Sequence, residues 1–146
     1  MKCVLDASVI VKWLLHDSES EADTSAALSL MDAVAAGDLE VLQPSHWLAE
    51  VAAVMARLSP TTLATDIADL FALDFDVADS LAVYQRATRL AVELNQHLFD
   101  TLYHAVALES AGCTLITADL RYFRKAHPYG RIAALERWRE TLRAVS

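Results

Sequence analysis

Apolar positions along the chain keep two rhythms, and the places where one gives way to the other mark its elements. The run Cys3-Val4-Leu5 reads as a buried strand that stops on Asp6, and VIVKWLL after it reads as a short helix. EADTSAALSLMDAVAAG is Ala-rich and helical, with Gly37 as its C′ residue. DLEVLQP is a short strand ended by Pro44, and SHWLAEVAAVMARL is a strong helical run with Ser45 as N-cap. Ser59 followed by Pro60 looks like a cap with proline at the first helical position, opening a helix over TTLATDIADLF. ALDFDV offers a brief strand. DSLAVYQRATRLAVELN is amphipathic, with Leu81, Tyr84, Leu90 and Leu94 near one side. FDTLYHAVALESAG is a helix closed by Gly112, CTLIT is the best strand of all, RIAAL is a fifth short strand, and ERWRETLRAV is a tail helix. Helices separated by short strands predict an α/β domain with a mostly parallel sheet. With no repeat, low-complexity tract or linker, residues 1–146 are expected to form a single domain.

Composition adds a core. At 146 residues and 55% hydrophobic content the chain is large enough to pack without staples. Its two cysteines, Cys3 and Cys113, each begin an apolar strand run; the spacing suits small buried thiols rather than a zinc site or disulfide framework, and a reducing compartment is expected. Lys2 before an apolar run can mimic a signal peptide, but Asp6 and Lys12 interrupt it and no small-residue cleavage site follows. No apolar stretch reaches membrane-spanning length. A soluble, cytoplasmic protein is the expectation.

The formal charge of −8 argues against a polyanionic partner until it is divided. Residues 1–120 carry −13 and residues 121–146 carry +5, through Arg121, Arg124, Lys125, Arg131, Arg137, Arg139 and Arg143 against Glu136 and Glu140. An acidic body with a basic end could grip a polyanion on one side; on charge alone, a solvated C-terminal helix with snorkelling arginines is preferred.

The chemistry gathers around carboxylates. CTLIT runs towards Asp119 as KCVL runs into Asp6, and in a parallel sheet ligands bind beyond the carboxyl ends of the strands, where strand order reverses. Glu50 lies among Ala, Val and Trp in WLAEVAAVM, and Asp100 opens an apolar helix. Each has a plainer role available. Asp6 and Asp119 are placed to cap the chain segments after them, Asp100 to favour a helix macrodipole, and Glu50 to snorkel or pair with an arginine. If the four converge, they cannot stand bare, because two like charges about 4 Å apart repel by about 4 kcal/mol at an effective dielectric of about 20. They must take up protons or a hard cation, and all-oxygen ligands select Mg²⁺ or Mn²⁺ over Zn²⁺. Such an ion suits phosphodiester hydrolysis. Ser8 and Thr117, each two residues from a strand-end Asp, are placed to hydrogen-bond ligands or waters there.

These residues resemble the PIN-domain nucleases, and among them the VapC-type toxins of bacterial toxin–antitoxin pairs. The likeness rests on LDASVIVKWL, PSHWLAEVAAVM and FDTLYHAVALESAGCTLITADLRYF, spanning residues 3 to about 125. It implies that Asp6, Glu50, Asp100 and Asp119 are the acidic metal-binding and catalytic positions, supported by the hydroxyls of Ser8 and Thr117. It implies a PIN-like three-layer domain with five strands in the order 3-2-1-4-5, flanked by helices. It also implies Mg²⁺- or Mn²⁺-dependent endoribonuclease activity leaving a 5′-phosphate and a 3′-hydroxyl, a homodimer, and a cognate VapB-type antitoxin whose peptide covers the site. Arg121, Arg124 and Lys125, close after Asp119, are candidates to hold the RNA backbone. The chain departs from the branch at Ala53, where an Asn often follows the central Glu by three residues; its loss bears on substrate positioning. A PIN-like RNA-processing nuclease without an antitoxin and a non-catalytic binding domain are the alternatives.

The remaining features read plainly. His104 lies one turn after Asp100 but no other histidine stands at ligand spacing, so it reads as a partly exposed histidine. Trp13, Trp47 and Trp138 read as core or interface residues. Trp13, Leu14, Trp47 and Leu48 suit either an apolar groove for an antitoxin helix or core packing. No phosphate-binding glycine loop is present.

Overall fold

A computed structural model describes residues 1–15 and 21–146. The strands are β1 (Lys2–Leu5), β2 (Glu40–Gln43), β3 (Asp76–Val77), β4 (Cys113–Thr117) and β5 (Ile132–Ala134). They form one sheet in the order β3-β2-β1-β4-β5, and every pair is parallel. Parallel strands need crossovers, and the described residues supply eight α-helices for them: α1 (Ala7–Leu14), α2 (Glu21–Ala35), α3 (Trp47–Leu58), α4 (Leu63–Ala72), α5 (Leu81–Leu94), α6 (Leu98–Glu109), α7 (Leu120–Ala126) and α8 (Trp138–Ala144). The expected α/β class and strand order are the ones observed.

The centre of the sheet is the most apolar part of the chain. Strands β1 and β4 pair from Lys2 with Cys113 to Leu5 with Ile116. Cys3, Val4 and Leu5 are wholly buried, as is every residue of β4, because helices cover a parallel sheet and leave its central strands no wet face. Helix α6 packs against both strands, and α1 against β4, α2 and α3. Cys3 and Cys113 are free and buried, and burial lifts both thiols well above their ordinary value, to about 12 and about 11. Trp13, Trp47 and Trp138 all lie in the core, with the Trp13 indole N–H donating to the Ala27 carbonyl at 2.9 Å.

Local departures from the sequence reading have physical causes. Ser45 does not cap α3; its hydroxyl lies 3.3 Å from that of Tyr84, and His46 precedes the helix without a side-chain cap. Pro60 belongs to a turn, and α4 begins at Leu63. Helix α5 buries Val83, Ala87 and Leu90 and packs Leu94 against the core, so Leu90 and Leu94 lie on the inner face as expected, while Leu81 and Tyr84 are exposed. Helix α7 was not anticipated: seven residues are too few to show a period, and its start depends on the Asp119 side chain accepting from the Tyr122 N–H. His104 is fully buried rather than partly exposed, because both ring nitrogens find partners, the Tyr122 hydroxyl at 3.1 Å and the Gly130 carbonyl at 2.8 Å. Burial lowers its basicity. Gly37 does sit after α2 as the reading had it, at φ +79°, a backbone state natural to glycine.

One buried polar side chain shapes the sheet edge. The recorded β1–β2 pairs end at Cys3 with Val41. Two residues on, the Gln43 side chain takes over: the Leu5 N–H donates to its Oε1 at 2.8 Å, and its Nε2 donates to the Leu5 carbonyl at 2.9 Å. On the other side, the Asp6 N–H donates to the Ile116 carbonyl at 3.1 Å. Both polar groups of the Leu5–Asp6 peptide are therefore held, one by a strand and one by a side chain.

Candidate functional site

The carboxyl ends of β1 and β4 lie side by side, and each hands its chain to a helix through an aspartate. Asp6 caps α1, its Oδ2 accepting from the Ser8 N–H at 3.3 Å; Asp119 caps α7, its Oδ1 accepting from the Tyr122 N–H at 3.0 Å. The capping roles foreseen as plainer alternatives are thus present, and they leave the opposite oxygens facing elsewhere. Two hydroxyls bind this pair together. Ser8 and Thr117 both donate to Asp6 Oδ2, the second at 3.1 Å. In turn Ser8 Oγ accepts from the Ala118 N–H, and Thr117 Oγ1 from the Asp119 N–H, each at 3.0 Å.

Glu50 and Asp100 arrive from the first turns of α3 and α6. Asp6 lies within electrostatic reach of Glu50 and Asp100, and Asp100 within reach of Glu50 and Asp119, so the four acids share one electrostatic neighbourhood. Asp100 Oδ2 accepts from Gln96 Nε2 at 2.8 Å. Glu50 Oε2 is buried and has no aligned hydrogen bond; His46 Nε2 lies 3.0 Å away, but it also lies 2.9 Å from the Phe99 carbonyl, which can only accept. The Tyr103 hydroxyl is likewise buried without a well-aligned hydrogen bond but lies near Glu50, and burial pushes it far above its usual range, with Glu50, Asp6 and Asp100 adding to the effect. Each of the four carboxylates consequently keeps at least one oxygen free of hydrogen bonds among the described residues.

Electrostatics reflect the crowding. Burial raises Asp6 to about 6, the Ser8 bond opposes it, and the charges of Glu50 and Asp100 push it further. Asp100 is also raised, by burial first, against the Gln96 bond and with Glu50 and Asp119. Among the described residues no three His, Cys, Asp or Glu side chains already form a ligand cluster. The donor set still suits a hard divalent cation: it is all carboxylate oxygen, one of those oxygens is a buried orphan, and Mg²⁺ characteristically binds through one or two carboxylates while keeping several waters.

A family model of the PIN domain matches residues 3–128. The chain belongs to the PIN domain family. PIN domains are typically metal-dependent nucleases acting on RNA. No curated protein matches this chain. Among the described residues of this PIN domain no helix is long and apolar enough to cross a membrane.

Of the residues singled out from sequence, the structure brings Asp6, Ser8, Glu50, Asp100, Thr117 and Asp119 to one edge of the sheet. Arg121 and Arg124 lie exposed on α7. Lys125 turns away from that open surface: its ammonium donates to the Leu94 and Asn95 carbonyls, at 3.3 and 3.5 Å, and to Gln96 Oε1 at 3.1 Å. Ala53, one turn beyond Glu50, is exposed and places no polar side chain beside it. Sequence reasoning passed over Gln43, His46, Gln96 and Tyr103. Gln43 alone left a sign, an amide inside an apolar strand run.

Proposed function

We propose that this PIN domain is a Mg²⁺- or Mn²⁺-dependent endoribonuclease and the toxin of a type II toxin–antitoxin pair. The observation that carries the nuclease reading is a set of four carboxylates in one electrostatic neighbourhood, each with an oxygen that no hydrogen bond occupies among the described residues. Asp6, Glu50, Asp100 and Asp119 would hold the cation directly or through water. A cation held there would supply charge to polarise the scissile phosphate and would lower the pKa of its water. Ser8 and Thr117 keep Asp6 ionisable in a setting that favours its neutral form, since both donate to the charged carboxylate. Asp119 is fixed in direction by its cap. Arg121 and Arg124, exposed on α7, would meet RNA phosphates.

The toxin assignment draws on the likeness to VapC-type toxins, and one surface supports it. A cleft of about 330 Å³ between α1, α2 and α4 is lined by Trp13, Leu14, Met31, Val34, Leu70 and Phe75 among others, an apolar berth suited to an antitoxin helix. Trp47 takes no part in the lining; it packs against Phe75 at 5.3 Å. The homodimer rests on the likeness alone, and the cytoplasmic setting on that and on two free thiols.

Total bacterial RNA incubated with the protein and Mg²⁺, Mn²⁺ or EDTA, with new 5′ ends mapped, tests the nuclease. Discrete metal-dependent cuts that vanish in Asp6→Asn are expected. Folded protein that leaves RNA intact with either metal would reduce the molecule to a binding domain.

A further inference from the structure

Asp100 reaches the site from the first turn of α6, with a single side chain holding it, and that side chain is held in turn. Gln96 Nε2 donates to Asp100 Oδ2 at 2.8 Å, and Gln96 Oε1 accepts from Lys125 Nζ at 3.1 Å. Chemistry alone orders this chain of contacts. An ammonium can only donate and an ionised carboxylate can only accept, so the amide between them has one allowed orientation, oxygen towards Lys125 and nitrogen towards Asp100. Without Lys125 the amide would lose the partner that fixes which way it faces.

Lys125 is itself anchored where a cation is favoured. It donates to the Leu94 and Asn95 carbonyls at the C-terminal end of α5, which closes on Asn95 in the left-handed conformation at φ +48°. It also belongs to the last turn of α7, the helix whose first turn is capped by Asp119. One seven-residue helix thus starts on one site carboxylate and ends on the residue that orients the holder of another. The bond from Gln96 opposes the push of burial on Asp100, favouring its ionised form.

We infer that Gln96 and Lys125 form a positioning pair that aims Asp100 at the cation, and that Lys125 is not a contact to the RNA backbone. The inference deepens the nuclease reading and rests on it. It divides the three basic residues after Asp119 into two kinds: Arg121 and Arg124 face solvent, whereas Lys125 serves the site from behind. Residues that orient metal ligands are typically worth about 10–100-fold in metal affinity.

The test uses Gln96→Leu, Lys125→Met, the double variant and Lys125→Arg, with two readouts that need no turnover. The first is the MgCl₂ concentration giving half-maximal thermal stabilisation. The second is the salt dependence of binding to a mixed-sequence single-stranded oligoribonucleotide in EDTA. Gln96→Leu is expected to raise the MgCl₂ midpoint about 10-fold or more. Lys125→Met should move it the same way, the double variant should be no worse than Gln96→Leu, and Lys125→Arg should restore it. The salt slope should be unchanged in Lys125→Met. Midpoints equal to wild type in folded Gln96→Leu and Lys125→Met would overturn the positioning role. A slope shallower by about 0.7 in Lys125→Met would make it a phosphate contact after all. Folded wild type with no response to MgCl₂ would bring down the metal reading and this inference with it, an outcome readily told apart from the other two.

Discussion

At the ends of β1 and β4, Asp6 is held at several points: Ser8 and Thr117 donate to one oxygen, the Ile116 carbonyl takes its amide, and Gln43 fixes the carbonyl before it. Across the site, Glu50 has no aligned hydrogen bond and Asp100 has one, from a glutamine. The contrast follows from where the acids come from. Strand ends inherit the rigidity of a buried parallel sheet, and a carboxylate placed there is surrounded by backbone donors. First turns of helices present a side chain outwards and leave its orientation to whatever neighbours it finds. The sheet side is therefore held by backbone and hydroxyl contacts, and the helix side through side chains alone, Asp100 by Gln96.

Three perturbations probe that difference. The largest effect is expected from Gln43→Leu, which leaves the buried Leu5 N–H and carbonyl without partners and should cost about 4 kcal/mol in urea unfolding. A loss below about 1 kcal/mol would mean the sheet side is not clamped in this way. Next comes the pH dependence of stability in EDTA. The folded chain holds a proton on Asp6 up to about pH 6, whereas an exposed aspartate releases it near 3.8. Between those values the folded state binds more protons than the unfolded one, so stability falls as pH rises, by about 3 kcal/mol at most, with Asp100 adding in the same direction. Asp6→Asn should flatten most of that fall; matching curves for the two proteins would count against a crowded, strained Asp6. The smallest change in stability is expected from Glu50→Gln, which takes one acid out of a crowded acidic neighbourhood and should stabilise the metal-free protein by about 1 kcal/mol or less. Its consequence should appear instead as loss of the Tm rise on adding MgCl₂. A large destabilisation would show that Glu50 is structural.

The legible parts of this molecule were those whose reasons are local. Apolar runs halted by a charge gave both central strands and pointed to Asp6 and Asp119, because a buried run tolerates a carboxylate only where the strand ends. Alternation of long helical runs with short strands gave the α/β class, while the strand order came from the family likeness rather than from any periodicity. Gathering Glu50 and Asp100 with the strand-end pair was likewise a matter of likeness, since neither helix reveals which sheet edge it meets. What stayed hidden depends on partners far along the chain. Gln43 and Leu5 are 38 residues apart, Gln96 and Lys125 are 29 apart, and His104 meets the Gly130 carbonyl across 26. A glutamine or histidine carries no sign in its own neighbourhood of being buried and satisfied elsewhere. On α5 the expected Leu90 and Leu94 lie on the inner face, but Leu81 lies at the helix start, beyond the strip that Val83, Ala87 and Leu90 press against the body.

Both strand-end aspartates also begin helices, and asparagine is as good an N-cap as aspartate. A single exchange of oxygen for an NH₂ group at position 6 or 119 therefore removes a negative charge while preserving a helix start. Loss of the proposed activity and loss of the fold are therefore expected to be separable at these two positions, and an inert descendant would persist as a well-folded chain with its surface unchanged.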